Sequence, residues 1–279
     1  SNSLDNNYML VGNYGGITLE DYFYSLFYRK VTGKNLEKNF LDLMNKMKPL
    51  FTGVKALLKN KIIHNDIKYN NILLDKDKFK LIDFGLSGTL DDKNHFKKIS
   101  KREFNTSRIY IFYPLEYILF YANKKQLNDE LMYIQNKQER HFTDDLKLIS
   151  YIFGYDYYET WTTIVERINN KLIDEEEMIK SIDIYSLGII IPILFIHNQA
   201  NSPFPYEKSE MIADFYKIFG MMIHPHSGSK NRVSFDTIHR KFNALLKKYN
   251  NKDSKSQRKS NKKTEKQKKK SVKRVKRRV

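Results

Sequence analysis

The sequence predicts an α+β protein that is predominantly helical, and three observations carry that prediction. Apolar residues recur at intervals of three and four over long stretches, the signature of helix faces. Short apolar runs that read as strands gather near 62–84, with one more at 8–16, bounded by polar turn residues. Hydrophobic residues make up 41% of the 279-residue chain, with 19 Tyr and 18 Phe, enough for a substantial core and against global disorder.

In chain order, "YMLVGNYGG" over 8–16 reads as a strand entering a glycine-containing connector. "TLEDYFYSLFYRK" reads as a helix with Thr18 as N-cap and Glu20 and Asp21 in its first turn. A longer helix is predicted over 36–60, where Leu36, Phe40, Leu43, Met44, Met47, Leu50, Phe51, Val54, Leu57 and Leu58 form one face. In "IIHNDIKYNNILLD", Ile62-Ile63 and Ile72-Leu73-Leu74 read as short buried strands holding a polar loop between them. "KDKFKLIDFG" then reads as a strand ending at Asp83-Phe84-Gly85.

Residues 86–112 are polar and read as irregular. Ser87, Thr89, Ser100, Thr106 and Ser107 fit a flexible loop better than a set of phosphorylation sites. Order resumes at "YPLEYILFYA", and 117–182 reads as mostly helical, with "YIFGYDYYETWTTI" as local core. "SIDIYSLGIIIPILF" reads as an apolar helix with Asp183 near its start. Pro192 is expected to kink it, at about 3 kcal/mol unless compensated. From about Asn250 apolar residues give way to Lys, Arg, Ser and Gln, so 251–279 is expected to be disordered.

Charge is unevenly spread. Residues 247–279 hold 17 of the 50 Lys/Arg and two of the 32 acids, so +15 of the +18 net charge lies there. The absence of Cys excludes a disulfide scaffold and cysteine metal sites. The N-terminus lacks a basic region followed by an apolar one, so no signal peptide is expected. The longest apolar run, "LGIIIPILFI", is too short for a bilayer. The expectation is a soluble protein without a transmembrane segment.

Asp66, Asn71 and Asp83 suggest chemistry. If the strands after the polar loop pair as a hairpin, the three side chains meet at one edge. Mg²⁺ takes a few carboxylate or amide oxygens and completes its shell with phosphate and water, a role that suits Asn71 and Asp83. Asp66 is then free to orient a hydroxyl and accept its proton. Lys68 can set a cation beside a transferring phosphoryl group. The bland alternative, ordinary turn polarity, is disfavoured by the joint spacing.

"HNDIKYNNILLD" followed by "KLIDFG" resembles the catalytic loop and metal-binding motif of the protein kinase family. "YPLE", with Pro114 to Glu116 lying 31 to 33 residues after Asp83, resembles the element that closes the activation segment. "DIYSLG" resembles the start of the central helix of the large lobe, where Asp183 would brace the catalytic-loop backbone. "HPHSGSKNRVSFDTI" resembles the late segment whose arginine, here Arg232, pairs with the closing glutamate, here Glu116.

This resemblance, over roughly 8–248, implies a Ser/Thr kinase's large lobe using ATP and Mg²⁺ on a protein substrate, since Asp-x-Lys is typical of the Ser/Thr branch. It implies Asp66 as base, Lys68 as phosphoryl cation, and Asn71 and Asp83 as metal ligands. The nucleotide would rest near Leu73 and a hinge at Asn13, Tyr14, Gly15 and Gly16. His64 is left as a supporting histidine, and Gly15-Gly16 alone would be a weak phosphate-loop signal.

Departures from the family pattern are equally visible. A glycine-rich phosphate loop and a strand lysine are not found, so the small lobe is expected to be almost wholly missing, from a truncated, split or degenerate copy. The chain would divide into a last small-lobe strand and hinge at 1–16, a large lobe at 17–250 with a helical insertion at about 117–182, and the tail at 251–279. Asn65 replaces the arginine that commonly clasps a phosphorylated activation loop. The proline of "YPLE" is shifted by one, and 66 residues separate Glu116 from Asp183.

Composition and the loop motif also resemble kinases of large DNA viruses. The expected location is intracellular, in cytoplasm or nucleus, or in a virion if the protein is viral. Two other classes stay open: a catalytically silent pseudokinase serving as a binding module, and a small-molecule phosphotransferase of similar fold. The tail has three readings, namely a solvated extension, an arm for nucleic acid, or a contact with anionic membrane. Nonspecific nucleic-acid binding by 251–279 is favoured over the others.

Overall fold

The computed structural model describes residues 16–106, 110–135, 144–198, 204–224 and 233–252. The strand expected at 8–15, Arg232, and the tail from 253 lie outside these.

Helix α1, Leu19–Phe27, begins where the sequence places it: Thr18 Oγ1 accepts the backbone N–H of Asp21 at 3.0 Å. Helix α2, Gly33–Lys59, buries the face formed by Leu36, Phe40, Met44, Met47, Phe51 and Val54, and it continues through Pro49. Strand β1, Ile17–Thr18, pairs antiparallel with β3, Ile72–Asp75, and β3 pairs antiparallel with β4, Lys78–Leu81. Strand β2, Ile62–Ile63, pairs instead with β5, Gly88–Thr89. The polar loop is thus strung between two different small sheets.

Gly16 explains itself sterically. Its φ is +104°, and a Cβ there would lie 1.9 Å from the carbonyl oxygen of Leu74, so only glycine lets the chain enter β1 this close to β3.

The segment 86–112 corrects the expectation of an irregular loop. It holds β5 and then helix α3, Lys93–Phe104, which Asp92 caps by accepting the N–H of His95 at 3.1 Å. Phe96 and Ile99 bury one face of α3. Ser100 is fully buried, its hydroxyl donating to the carbonyl of Tyr117 at 2.7 Å, so it belongs to a packed helix.

Helices α4 (Leu115–Phe120), α5 (Lys124–Gln135), α6 (Asp144–Phe153) and α7 (Tyr157–Asn169) follow, matching the mostly helical reading of 117–182. Trp161, Ile164 and Val165 of α7 pack with α4 and with Ile63, so the aromatic-rich stretch contributes to a second core cluster. Helix α8, Glu175–His197, starts earlier than expected. Asp174 caps it by accepting the N–H of Glu177 at 2.9 Å, which puts Asp183 well inside the helix rather than near its start.

Helix α8 runs on past Pro192 to His197 and is buried along most of its length. By length and composition it could cross a membrane, but 89% of its apolar window is buried inside the protein, as a core helix is. Around it gather α1, α2, α9 (Glu210–Ile223) and the helical stretch α10 at 235–252, with Phe23, Phe40, Phe195, Phe215 and Phe242 in the main core. Helical backbone continuing to 252 carries order slightly past the boundary expected at 250.

Candidate active site

Asp183 sets the site. Its carboxylate is fully buried in α8 and accepts the backbone N–H of His64 at 2.7 Å and of Asn65 at 2.9 Å. Burial raises its pKa to about 6 despite these two donors. Asn65 sits at φ +60°, in the left-handed region that Asn tolerates better than most residues. Its side-chain amide donates to the carbonyl of Leu86 at 3.3 Å, and its own carbonyl accepts the hydroxyl of Tyr113 at 2.8 Å. One asparagine therefore joins the loop to α8, to the segment after β4 and to the segment before α4.

His64 is buried, and burial lowers its pKa, so the ring is neutral at pH 7. Its Nδ1 faces the N–H of Asp66 at 3.3 Å and its Nε2 faces the carbonyl of Ile82 at 3.0 Å. The first contact needs an acceptor and the second a donor, which assigns the proton to Nε2. Both nitrogens are engaged structurally, in keeping with the supporting role assigned to this histidine.

Asp66 is 7% exposed. Its Oδ2 accepts Lys68 Nζ at 2.9 Å and Asn71 Nδ2 at 2.7 Å, and Asn71 Nδ2 also reaches the Asp66 carbonyl at 3.0 Å. Asn71 lies in a single 3₁₀ turn, Tyr69–Asn71, that leads directly into β3. Its carbonyl accepts the N–H of Ile82 at 3.0 Å, which extends the β3–β4 hairpin by one bond and sets Asp83 beside it in register. Asp83 is exposed, sits at φ +61°, and accepts the N–H of Gly85 through Oδ1 at 3.2 Å. The ring of Phe84 packs on His64 at 4.5 Å.

The loop thus brings Asp66, Lys68 and Asn71 into contact, and the hairpin places Asp83 directly after Ile82, the residue bonded to Asn71. Of the nucleotide-site residues, Gly16 immediately precedes β1 and Leu73 lies on the adjoining β3, where it pairs with Thr18, whereas Asn13, Tyr14 and Gly15 lie outside the described residues. Glu116 is buried in the first turn of α4, and its expected partner Arg232 also lies outside them.

Two residues escaped the sequence reading. The hydroxyl of Tyr110 donates to Asp66 Oδ1 at 3.0 Å, and Tyr113 holds the Asn65 carbonyl. In the sequence they are two tyrosines of an aromatic run, and only their spacing of three, just before Pro114, sets them apart.

Mg²⁺ fits the donors present. Among the described residues no group of three or more His, Asp or Glu forms a metal cluster. Mg²⁺ needs none, because it is held by one or two protein oxygens together with phosphates. Both hydrogens of Asn71 Nδ2 are spent on Asp66, so its side-chain oxygen could serve as one ligand and the exposed carboxylate of Asp83 as a second.

A carboxylate, a lysine and two oxygens that could take a metal lie on one loop and hairpin, the kinds of group that phosphoryl transfer uses. The family described as protein kinase domain matches residues 6–111, under half of the chain. Over that segment the chain is similar to the protein kinase domain. It is 32% identical over 114 residues to a protein named as a serine/threonine-protein kinase in Invertebrate iridescent virus 3, covering 38% of this chain and 34% of that protein. It is 35% identical over 77 residues to another so named in Acanthamoeba polyphaga mimivirus, covering 28% and 13%. A third relative, the tyrosine-protein kinase receptor torso of Bombyx mori, is 36% identical over 59 residues, covering 21% and 7%. The chain therefore spans about a third or less of the length of these relatives, and they include named kinases of both acceptor classes.

Proposed function

We propose that this chain supplies the catalytic loop of a Ser/Thr protein kinase that transfers the γ-phosphoryl group of ATP to a protein hydroxyl. The observation that carries the reading is the Asp66 carboxylate, buried and gripped by Lys68 and Asn71 while Asp183 fixes the loop backbone. Lys68 two residues after the base favours the Ser/Thr class, as do the names of the two viral relatives.

The acceptor hydroxyl gives its proton to Asp66 as its oxygen bonds to the γ-phosphorus. The bond from that phosphorus to the bridging oxygen breaks, and ADP departs with the electron pair. Lys68 Nζ, 2.9 Å from Asp66, is placed to balance charge on the transferring group. Asn71 and Asp83 would hold Mg²⁺, which neutralises phosphate charge when bound. Gly16 and Leu73 line the adenine side in this reading, and the basic segment 251–279 serves as an arm for nucleic acid.

The test is transfer of labelled phosphate from Mg²⁺-ATP to myelin basic protein, followed by phosphoamino-acid analysis. Label on Ser or Thr, lost by about 10²-fold or more in Asp66→Asn, is the expected result. Label on Tyr alone would move the protein to the other acceptor class. Full activity in Asp66→Asn would remove Asp66 as the base.

A further inference from the structure

The two carboxylate oxygens of Asp66 are occupied differently. Oδ2 is held by the loop's own Lys68 and Asn71, whereas Oδ1 takes the hydroxyl of Tyr110 at 3.0 Å, from 44 residues further along the chain. A base accepts a proton only from a hydroxyl that is hydrogen-bonded to it. Oδ1 is therefore the oxygen an incoming acceptor needs, and a phenol already sits on it.

Tyr110 is held there by its surroundings. Its ring packs edge-on against Tyr113 with centroids 4.9 Å apart, and Phe112 lies 5.5 Å away. The N–H of Tyr113 closes a turn onto the Tyr110 carbonyl at 3.0 Å. Tyr113 is in turn tied to Asn65, so the turn that carries the phenol is fastened to the loop that carries the base. Burial, then the neighbouring Asp66 charge, push the Tyr110 phenol far above its ordinary pKa, so it keeps the proton it donates.

Resting on the reading of Asp66 as base, we propose that Tyr110 is an internal stand-in for the acceptor hydroxyl. It occupies the acceptor position on Asp66 until a protein substrate displaces it, and so sets how readily acceptors gain the site. The hydroxyl is a competitor, not a helper. A Phe at this position keeps the ring packing and removes only the competing donor.

Tyr110→Phe is compared with wild type for transfer to myelin basic protein and, separately, for binding of that protein without nucleotide. The expected result is a kcat/KM higher by roughly fivefold or more, through a lower KM for the acceptor. That is the order of one charge-assisted hydrogen bond lost from the competing state. Nucleotide KM should stay unchanged. A lower kcat in Tyr110→Phe would make the phenol a positioning group and overturn the proposal, as would unchanged kinetics. If wild type transfers no phosphate at all, the kinase reading fails on its own. Binding then decides the cap: tighter binding to Tyr110→Phe supports it and equal binding overturns it.

Discussion

The carboxylate of Asp183, inside the buried helix α8, accepts the backbone N–H of His64 at 2.7 Å across 119 residues of chain. A second bond, from Asn65 at 2.9 Å, uses its other oxygen. An ionised carboxylate accepts both donors with ease. A protonated one turns an oxygen into a donor and disturbs the pair.

This gives opposite pH trends for stability and activity. The folded pKa of about 6 lies above the ordinary 3.8, so folding favours the protonated form. The stability linked to Asp183 is complete below about pH 4 and is lost as pH rises through 6. Asp183→Asn does not titrate, so wild type should gain on it between pH 7 and 4 by about 1–3 kcal/mol in denaturant unfolding. A constant difference across that range would refute the linkage. Activity should instead decline below about pH 6 as the loop loses its double acceptor.

Asn71 and Asp83 should separate by what they hold. Asp83 makes a local turn with Gly85, whereas Asn71 also orients Asp66. Asp83→Asn is expected to raise the Mg²⁺ concentration needed for nucleotide binding by about tenfold, the worth of one lost charge-assisted interaction. Asn71→Ala should do this and also lower kcat at saturating Mg²⁺. Nucleotide binding that ignores Mg²⁺ in wild type would remove both residues from the metal site.

Gly188 reports on the packing of α8 against α9. A Cβ there would lie 2.6 Å from Met222 Cβ and 3.0 Å from Ile223 Cγ2, in the middle of the main core. Gly188→Ala gains helix propensity but forces two helices apart, and overpacking of this kind costs about 1–3 kcal/mol. The measured melting temperature should fall. A rise would mean the helices part cheaply and that Gly188 is not what brings them together.

Local signals made part of this molecule legible in its sequence. Thr18 capped α1 as read, the three-four spacing from Leu36 onward traced α2, and the strands at 72–75 and 78–81 paired as a hairpin. Helix α3 was missed because "KNHFKKISKREF" is almost wholly polar. Only Phe96, Ile99 and Phe104 mark a face, and Asp92 as its cap was the one overlooked sign. The start of α8 was missed because the helix was read from its apolar run at "SIDIYSLG", although the acids Glu175, Glu176 and Glu177 after an Asp cap are what a helix N-terminus favours. Tyr110 could not be read at all. Its contact with Asp66 depends on how a distant segment folds back, and nothing in the residue type separates a core tyrosine from one that caps a carboxylate.

The basic C-terminal segment gives a prediction that is independent of catalysis. Helical backbone reaches 252, so the cut belongs after that residue rather than after 250. It then spares Lys248 and Tyr249, whose bonds to Asp214 at 2.9 and 2.7 Å tie α10 to α9 and help push the Asp214 pKa down to about 2. Residues 253–279 hold 14 Lys/Arg against two acids. Binding through six to ten phosphate contacts releases as many counterions and weakens about 10³–10⁵-fold between 50 and 200 mM salt. The full chain should show that slope on duplex DNA or RNA without sequence preference, and the chain ending at 252 should lose the binding while keeping its melting temperature. Binding that is indifferent to salt, or that survives the deletion, would place the nucleic-acid surface on the folded body, whose own charge is close to balanced.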